Sequence, residues 1–439
     1  MSFEKLYQKI TFQTELSSAL FGYRGKSMDK NKVWEIILND KYYTMDDLRY
    51  NQKIGIMFSR EQFSDFLSTK DCLIDENHSY FEKLPLKTFN SKNCFYVKGA
   101  YLLSVYKEYL QTFLSDYNLN QKSLFDRNTE DIIISRLYSE VEGSLDIENI
   151  PTTHRMIADI HKSEVLTDNN DIIVKNMLNA VTFIVKEKPE FNKENLLKLY
   201  KILSKDSLPN ELKIRDGAYY RHDKVFIGGF EGADANIVDE CMDSLFEFAN
   251  DEDRIKNLGC LLPSICHYYI LYIHPYFDYN GRTARMVSFW LNYIYKIIHA
   301  PYFISEAINE NKSEYYQALT NTRITNNDLT YFLGYILETS IKYSFVYKNV
   351  EEKKNKLMET GDTLTSTEWV YVKKILVHNQ DNYFNYKMFL GYINAKMTKQ
   401  GALKILNNLV KYGILNCIKN KKKESMYKID PELITYKYN

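Results

Sequence analysis

A twelve-residue stretch, His274–Arg285, contains an imidazole, a carboxylate, an amide, a glycine and two guanidiniums. His274 can accept a proton near neutral pH. Asp278 offers a hard oxygen ligand to Mg2+, which usually takes one or two carboxylates together with substrate phosphates. Arg282 and Arg285 lie three residues apart, so the first turn of a helix would present both guanidiniums to a polyphosphate. These residue types predict a nucleotide-phosphate site with a metal, a base and an anion clamp.

The flanking residues place this stretch in a loop between two buried helices. Residues 262–273 are apolar and aromatic, and downstream of the loop apolar residues recur at helical spacing, at Met286, Phe289, Trp290, Tyr293, Ile294 and Ile297. The loop therefore ends at a helix N-terminus, where free N–H groups and a partial positive charge favour an anion. The pair Asn280-Gly281 lets the backbone turn and approach a ligand closely.

The stretch resembles the motif of the Fic (filamentation induced by cAMP) family, H-x-F-x-D/E-G-N-G-R-x-x-R. Six positions match it: His274, Asp278, Asn280, Gly281, Arg282 and Arg285. Two positions depart from it, because Tyr276 stands where Phe is usual and Tyr279 stands where Gly or Ala is usual. An aromatic packing role is retained at Tyr276, and backbone N–H groups near Tyr279 could still bind phosphate.

The resemblance implies transfer of AMP from ATP to a hydroxyl of a protein Ser, Thr or Tyr. His274 would be the base for that hydroxyl, Asp278 would position Mg2+, and Arg285 would reach the γ-phosphate. The α- and β-phosphates would be held by Asn280, Gly281 and Arg282. Gly281 favours nucleotidyl transfer over the related phosphotransferase branch, which usually has Lys there. Removal of AMP by the same site remains open.

A helix is predicted over 132–143, closed by Gly143. In many Fic proteins a similar helix bears S/T-x-x-x-E-G/N, and its Glu pairs with the second Arg of the main motif and obstructs the γ-phosphate. Glu142 and Gly143 are assigned to that pattern, although Tyr138 occupies the position of its Ser or Thr. The assignment implies inhibition in cis by an upstream helix. The alternative is a helix-end Glu on a solvated face.

A short β-hairpin is predicted where turn residues surround an apolar strand. It resembles the Fic flap, which holds the acceptor segment of the target by strand pairing. The flap strand would be formed by Val225, Phe226 and Ile227, and a structural hairpin without a partner is the alternative. Tyr315 and Tyr316 resemble a Fic tyrosine pair near the adenine and ribose of the nucleotide. They point to different sides of a helix, so at most one faces the nucleotide, and core packing is the alternative for each.

The C-terminal residues predict three helices and two short strands, at 367–377, 384–393, 398–410, 415–418 and 426–429. This order resembles a winged helix-turn-helix. Residues 362–439 contain 13 lysines and 6 acidic residues, which leaves a net charge of +7. A basic module of this form can bind a DNA groove. Protein docking and dimerisation are the alternatives.

Length and composition restrict the classes of protein. A chain of 439 residues predicts two or three domains, and equal numbers of basic and acidic residues, 57 each, argue against a general polyanion binder. The six cysteines form no C-x-x-C pair, which indicates a reduced compartment. No apolar segment resembles a signal peptide or a membrane span, so a cytoplasmic protein without membrane contact is predicted.

We therefore predict a mostly α-helical protein of four segments. They are an N-terminal helical region (1–120), a Fic-type helical domain with its upstream inhibitory helix and β-hairpin flap (121–345), a charged linker (346–361) and a winged helix-turn-helix (362–439). The predicted function is that of a protein adenylyltransferase that uses ATP and Mg2+ and modifies an unidentified target protein and itself. A DNA-binding regulator that only senses nucleotide, or an interaction scaffold, is the alternative, which the intact His274 disfavours.

Overall fold

The computed structural model describes residues 28–51, 56–76, 79–89, 92–124, 130–163, 165–227, 230–297, 304–378, 382–393, 397–419 and 424–433. The chain divides into two compact units, Met1–Glu338 and Thr339–Asn439. Helices dominate the described residues, and the strands form three two-stranded antiparallel sheets. This is the mostly α-helical protein with small hairpins that the sequence predicts.

The N-terminal part of the first unit contains a β-hairpin in addition to the predicted helices. Its elements are α1 (Lys30–Ile37), α2 (Met45–Tyr50), α3 (Arg60–Glu76), β1 (Phe81–Lys87), β2 (Asn93–Val97) and α4 (Ala100–Leu124). Phe81 and Phe95 of the hairpin are buried in a core that also contains Phe63 and Phe66 of α3. The region predicted as helical over 1–120 therefore contains one β-hairpin beside its helices. The first 27 residues of that region lie outside the described residues.

A buried ion pair connects this N-terminal part to the end of the first unit. Lys70 and Asp328 pair with almost no solvent exposure, and the Tyr42 hydroxyl also donates to Asp328. The backbone N–H of Leu329 donates to the Phe95 carbonyl at 2.7 Å. A buried charge without its partner is strongly destabilising. These contacts make the N-terminal residues part of the same compact unit as the helices that follow.

The remainder of the first unit is a set of packed helices and one short hairpin. It comprises α5 (Glu130–Ile147), α6 (His154–Lys162), α7 (Asn169–Glu187), α8 (Lys193–Ser204), β3 (Phe226–Ile227), β4 (Phe230–Glu231), α9 (Ala235–Asn250), α10 (Glu252–Leu258), α11 (Leu261–Ile273), α12 (Asn280–Ile294), α13 (Ile304–Glu310) and α14 (Lys312–Ile324). All but one residue of α11 are buried, and Trp290 of α12 donates its indole N–H to the Pro189 carbonyl at 2.9 Å. The two most buried helices therefore flank the polar loop, as the sequence predicts.

In the described residues of the second unit, the end of a long helix precedes three further helices and an antiparallel hairpin. The three helices and two strands are α16 (Ser366–His378), α17 (Tyr386–Ile393), α18 (Lys399–Lys411), β5 (Leu415–Lys419) and β6 (Ser425–Ile429). Leu415 pairs with Ile429 across the hairpin, and an antiparallel bridge joins Phe384 to Tyr427. Residues 420–423, part of the predicted basic hairpin, lie outside the described residues.

The segment predicted as a linker, 346–361, belongs mostly to a helix. α15 runs from Thr330 to Glu359, and the boundary between the two units falls within it. Val346 and Val350 are one turn apart and are buried in the core of the second unit. No helix among the described residues has the length and apolarity needed to cross a membrane.

Candidate functional site

His274 directly follows α11 in a left-handed conformation, with φ 56°. Its backbone N–H donates to the Ile270 carbonyl at 2.8 Å, which ends the helix. The ring Nδ1 lies 3.3 Å from the Leu271 carbonyl oxygen. A carbonyl only accepts, so Nδ1 carries the proton and Nε2 keeps a free lone pair. Burial lowers the pKa of His274 to about 4, so the imidazole is neutral at pH 7 and can accept a proton.

The backbone at His274 is held by Arg221, a residue that sequence reasoning missed. Arg221 is buried, and its Nε donates to the His274 carbonyl at 2.7 Å. Its Nη1 donates to the Asp223 carbonyl at 2.6 Å and its Nη2 donates to the Ala233 carbonyl. One guanidinium therefore connects the loop after α11 with both ends of the β3–β4 hairpin.

The loop after His274 is closed by Asn280 and packed by Tyr276. The Asn280 side chain accepts from the Tyr276 N–H at 3.0 Å and donates to the Tyr276 carbonyl at 2.8 Å. The Tyr276 ring is fully buried and stacks on Tyr200, with 3.7 Å between ring centroids. Tyr276 thus has the packing role predicted for an aromatic residue at that position. The amide of Asn280 shapes the loop, and its contact with phosphate stays a prediction.

Asp278 is the carboxylate that the sequence assigns to Mg2+. Its Oδ1 accepts from the Tyr279 N–H at 2.6 Å, and its side chain is half-buried. Among the described residues, no group of three or more His, Cys, Asp or Glu side chains could hold a metal ion. A carboxylate of this kind fits Mg2+ only together with substrate phosphates, which is the usual arrangement for that ion.

The two arginines of the motif meet one carboxylate, that of Glu148. Arg285 Nη2 lies 2.7 Å from Glu148 Oε1, and Arg282 Nε lies 3.5 Å from Glu148 Oε2. Arg285 also donates to the Ser144 hydroxyl at 2.9 Å and to the Ser144 carbonyl at 3.0 Å. Burial alone would raise the pKa of Glu148, but the charges of Arg285 and Arg282 bring that pKa below its usual value. Glu148 is therefore an anion bound by the predicted phosphate clamp.

The assignment of Glu142 as the carboxylate opposite Arg285 is corrected by these contacts. α5 continues past Gly143 to Ile147, and from this segment Ser144 and Glu148 accept hydrogen bonds from Arg285. Those two positions are four apart and share a helix face, whereas position 142 lies ~200° around the helix from position 144.

A signal for Glu148 is present in the sequence. The pattern S/T-x-x-x-E-G/N fits Ser144, Glu148 and Asn149 without any departure. Asn149 adopts φ 60°, a left-handed conformation that Gly and Asn tolerate best, which gives a physical reason for the last position of the pattern. A helix that ends at Gly143 would place Glu142 at its end, whereas the helix in the structure ends at Ile147, directly before Glu148.

Gly143 lies within α5 at the point where α13 approaches closely, so that a residue with a side chain would not fit there. A Cβ atom there would come within 2.6 Å of the Glu306 backbone nitrogen. One turn earlier, the buried Glu140 carboxylate accepts from the Ser305 N–H at 2.9 Å and from the Ser305 hydroxyl. Burial raises the pKa of Glu140 to about 7. These contacts dock α5 on α13 and so fix the position of Glu148.

The two predicted nucleotide-binding tyrosines lie in different environments. Tyr315 is 1% exposed, and its hydroxyl lies 2.9 Å from His267 Nε2, so core packing accounts for it. Tyr316 is 45% exposed and close enough to Arg285 and Glu148 to interact with both electrostatically. Of the pair, Tyr316 is the exposed one, and contact of either tyrosine with a nucleotide stays a prediction. His267, which sequence reasoning missed, supports Tyr315 from α11.

The predicted flap is a hairpin of two strands, β3 and β4, each two residues long, with an exposed apolar side chain. Phe226 pairs with Glu231 and Ile227 pairs with Phe230, while the Gly232 N–H donates to the Val225 carbonyl at 2.9 Å. Phe226 is 72% exposed. Target binding by these residues stays a prediction.

Comparisons with known proteins place this site in a family. The family model described as Fic/DOC family matches residues 190–291. The proteins named protein adenylyltransferase fic-1 in Caenorhabditis elegans and Caenorhabditis briggsae are each 26% identical to this chain over 159 residues. The match covers 36% of this chain and 29% of each relative, so the chain spans under a third of their length.

Solved structures also match the chain. A Fic family protein from Desulfovibrio desulfuricans is 15% identical, with a TM-score of 0.46 over 75% of this chain and 95% of that one. A fragment of Fic-1 from C. elegans is 18% identical, with a TM-score of 0.45 over 57% of this chain and 72% of that one. The family match contains all six motif residues between His274 and Arg285, and with the two worm relatives it shows that this chain is a Fic-domain family protein.

Proposed function

We propose that this chain is a protein adenylyltransferase that transfers AMP from ATP to a protein hydroxyl and is inhibited in cis by Glu148. The observation that carries the proposal is the neutral His274 in the loop that leads to α12, whose first turns carry two arginines with guanidiniums that meet a carboxylate. A carboxylate in that position competes with a phosphate for the same donors. The worm relatives are named for the same transfer.

In the proposed reaction each part of the site has one task. His274 Nε2 takes the proton of the acceptor hydroxyl as its oxygen attacks the α-phosphorus of ATP. The bond between the α-phosphorus and the bridging oxygen breaks, and pyrophosphate leaves. Arg282 and Arg285 stabilise the charge of the phosphates. Mg2+, bound by the phosphates and Asp278, would neutralise further phosphate charge. Positioning and electrostatics would supply most of the rate enhancement.

The exposed flap gives the acceptor segment a place to bind. Arg221 holds the hairpin ends and the His274 carbonyl in one network, so a strand paired with the hairpin would lie near the base. Phe226 offers an apolar contact to such a strand. Self-modification needs the same geometry, with a hydroxyl of this chain as acceptor. Removal of AMP by the same site, in which water attacks the phosphorus of the protein-bound AMP and the acceptor hydroxyl leaves with a proton, would use the same groups.

Incubation of the full chain with ATP and Mg2+ tests the proposed transfer. We expect intact-mass analysis to show the mass of one or more AMP groups on the protein, and a chelator to prevent the gain. A parallel incubation with ATP labelled at the α-phosphate and a cell lysate detects other acceptors. If AMP joins neither this chain nor any protein of the lysate, with Glu148 present or replaced by Gly, the chain is not an adenylyltransferase.

A second proposed function, DNA binding by the C-terminal unit, is supported by charge and element order. Residues 362–439 carry a net charge of +7, and α18 presents exposed Lys399 and Lys404. We expect the full chain to bind duplex DNA at low salt, with an affinity that falls steeply as salt rises because lysine contacts release counterions. If the C-terminal unit binds a protein and not DNA, no salt-dependent binding of duplex DNA is expected.

Charge-reversal variants show whether the DNA binds to the C-terminal unit or to another part of the chain. Lys399→Glu with Lys404→Glu should weaken binding and reduce the salt slope by about two, since each phosphate contact contributes about one. The matched control, Lys162→Glu with Lys256→Glu, reverses two exposed charges of the first unit and should bind as the unmodified chain does. Equal loss in both variants, or no DNA binding at low salt, would contradict the proposal.

A further inference from the structure

Tyr279 occupies the motif position where a small residue is usual, and its backbone conformation is unfavourable for it. It adopts φ 67° and ψ 7°, in the left-handed region. A bulky side chain there crowds the backbone, and only glycine adopts this region freely. Strained residues persist where the surrounding structure holds them, and they cluster at functional sites.

The aromatic ring of Tyr279 lies against the guanidinium of Arg282. The Arg282 Cζ atom is 3.4 Å from the ring centroid. Arg282 is 5% exposed, its Nε lies 3.5 Å from Glu148 Oε2 without a hydrogen bond, and its Nη1 has no hydrogen-bond partner among the described residues. A guanidinium stacks on a ring through its face and donates hydrogen bonds through its edge. The stack therefore orients the plane of Arg282 and turns its N–H edge to oxygens, which are those of Glu148 in this structure and would be those of a phosphate once Glu148 is replaced.

The hydroxyl of Tyr279 is fixed by a segment outside the motif. It lies 2.6 Å from the Ser207 hydroxyl, three residues past the end of α8. The ring is thus held at one end by its own loop and at the other by Ser207. The same ring is 3% exposed, so solvent does not compete for these contacts.

We propose that Tyr279 is a positioning residue that sets the orientation of Arg282 for a nucleotide polyphosphate, with Ser207 holding the ring. This rests on the proposed function in one respect, that Arg282 contacts the phosphates of ATP. A chain with glycine at this position would need another group to orient the arginine. The strained tyrosine is retained here because its ring holds Arg282 in a fixed plane.

ATP affinity measured by calorimetry tests the proposal without requiring transfer. All proteins are full chains with Glu148→Gly, so that the carboxylate does not compete with the nucleotide. Tyr279→Ala should weaken ATP binding about tenfold, because a desolvated cation–π contact and the orientation of Arg282 are lost. Tyr279→Phe keeps the ring and should weaken binding about two- to threefold, as should Ser207→Ala, because each removes one neutral hydrogen bond.

Two double variants distinguish positioning from general support of the loop. In a background of Arg282→Ala, Tyr279→Ala should cause no further loss of ATP affinity, because the ring acts through that arginine. Ser207→Ala should likewise add nothing to Tyr279→Phe. If Tyr279→Ala costs the same tenfold with Arg282 absent, or costs nothing with Arg282 present, the proposal is overturned.

The outcomes also separate this inference from the proposed transfer. A chain that shows the expected affinity pattern but never transfers AMP supports the role of Tyr279 and contradicts the adenylyltransferase. A chain that transfers AMP with the same ATP affinity for Tyr279→Ala contradicts the role of Tyr279 alone. A chain that binds no ATP at all contradicts both.

Discussion

Replacing His274 by alanine should abolish AMP transfer while leaving ATP binding intact. Transfer needs a group that removes the proton of the acceptor hydroxyl, and such a base typically contributes a factor of about 10²–10⁴. The His274 side chain is neutral, and Nδ1 is occupied by the Leu271 carbonyl, so Nε2 is the atom that accepts. The proposed phosphate contacts are those of Arg282 and Arg285, which pair with Glu148 in this structure and which the substitution leaves in place.

The measurement compares initial rates of labelled AMP incorporation and ATP affinity in chains that carry Glu148→Gly. His161→Ala is the matched control, because His161 is an exposed imidazole on α6, and its variant should keep the full rate. The pKa of His274 is lowered, so its basic form dominates above about pH 4. The rate should therefore show no loss from this group between pH 6 and pH 8. Transfer at the full rate by His274→Ala would exclude the base role.

The motif loop could be predicted from the sequence because its signals are local. Apolar residues before and after it fix two buried helices, and the polar residues between them must lie at the helix ends. The buried stack of Tyr276 on Tyr200 agrees with the aromatic character of that motif position. Short spacings of this kind determine which side chains share a loop, without any knowledge of distant contacts.

Glu148 was missed because a glycine inside a helix has the same appearance in the sequence as a glycine after one. Gly143 was interpreted as a helix end, which is its commonest meaning near the end of an apolar pattern. Position 143 requires a glycine because the backbone of Ser305 and Glu306 approaches it closely. Those two residues lie more than 160 positions away in the sequence. A contact of that range leaves no local signal.

Arg221 and the first hairpin show the same limit. The carbonyls bound by Arg221 belong to His274, Asp223 and Ala233, in separate segments, so no local pattern identifies the arginine. β1 and β2 pair with each other and contact the residues just before α15 through Phe95. The charged segment predicted as a linker is largely helical, and within it Val346 and Val350 have the spacing of a buried helix face.

Replacing Glu148 by glycine should raise the rate of AMP incorporation by about ten- to a hundredfold. The Glu148 carboxylate holds Arg285 at 2.7 Å and lies 3.5 Å from Arg282, so both guanidiniums are engaged by a protein anion. A hydrogen bond to a charged group contributes roughly 1.5–3 kcal/mol, and about 1.4 kcal/mol changes an equilibrium tenfold. Removing the carboxylate frees Arg285 for the γ-phosphate and lets ATP bind with its α-phosphate in line with the acceptor hydroxyl.

The matched control is Glu142→Ala, on the same helix but on a different face from the residues that contact Arg285. It should leave the initial rate near that of the unmodified chain, measured with saturating ATP and Mg2+. Ser144 contacts the same guanidinium with its hydroxyl and its carbonyl, so Arg285 keeps two of its contacts when Glu148 is replaced and stays in position to bind phosphate. If Glu148→Gly leaves the rate of a folded chain unchanged, or if Glu142→Ala raises it equally, then the carboxylate on Arg285 does not restrain transfer, because the predicted gain comes only from releasing that guanidinium.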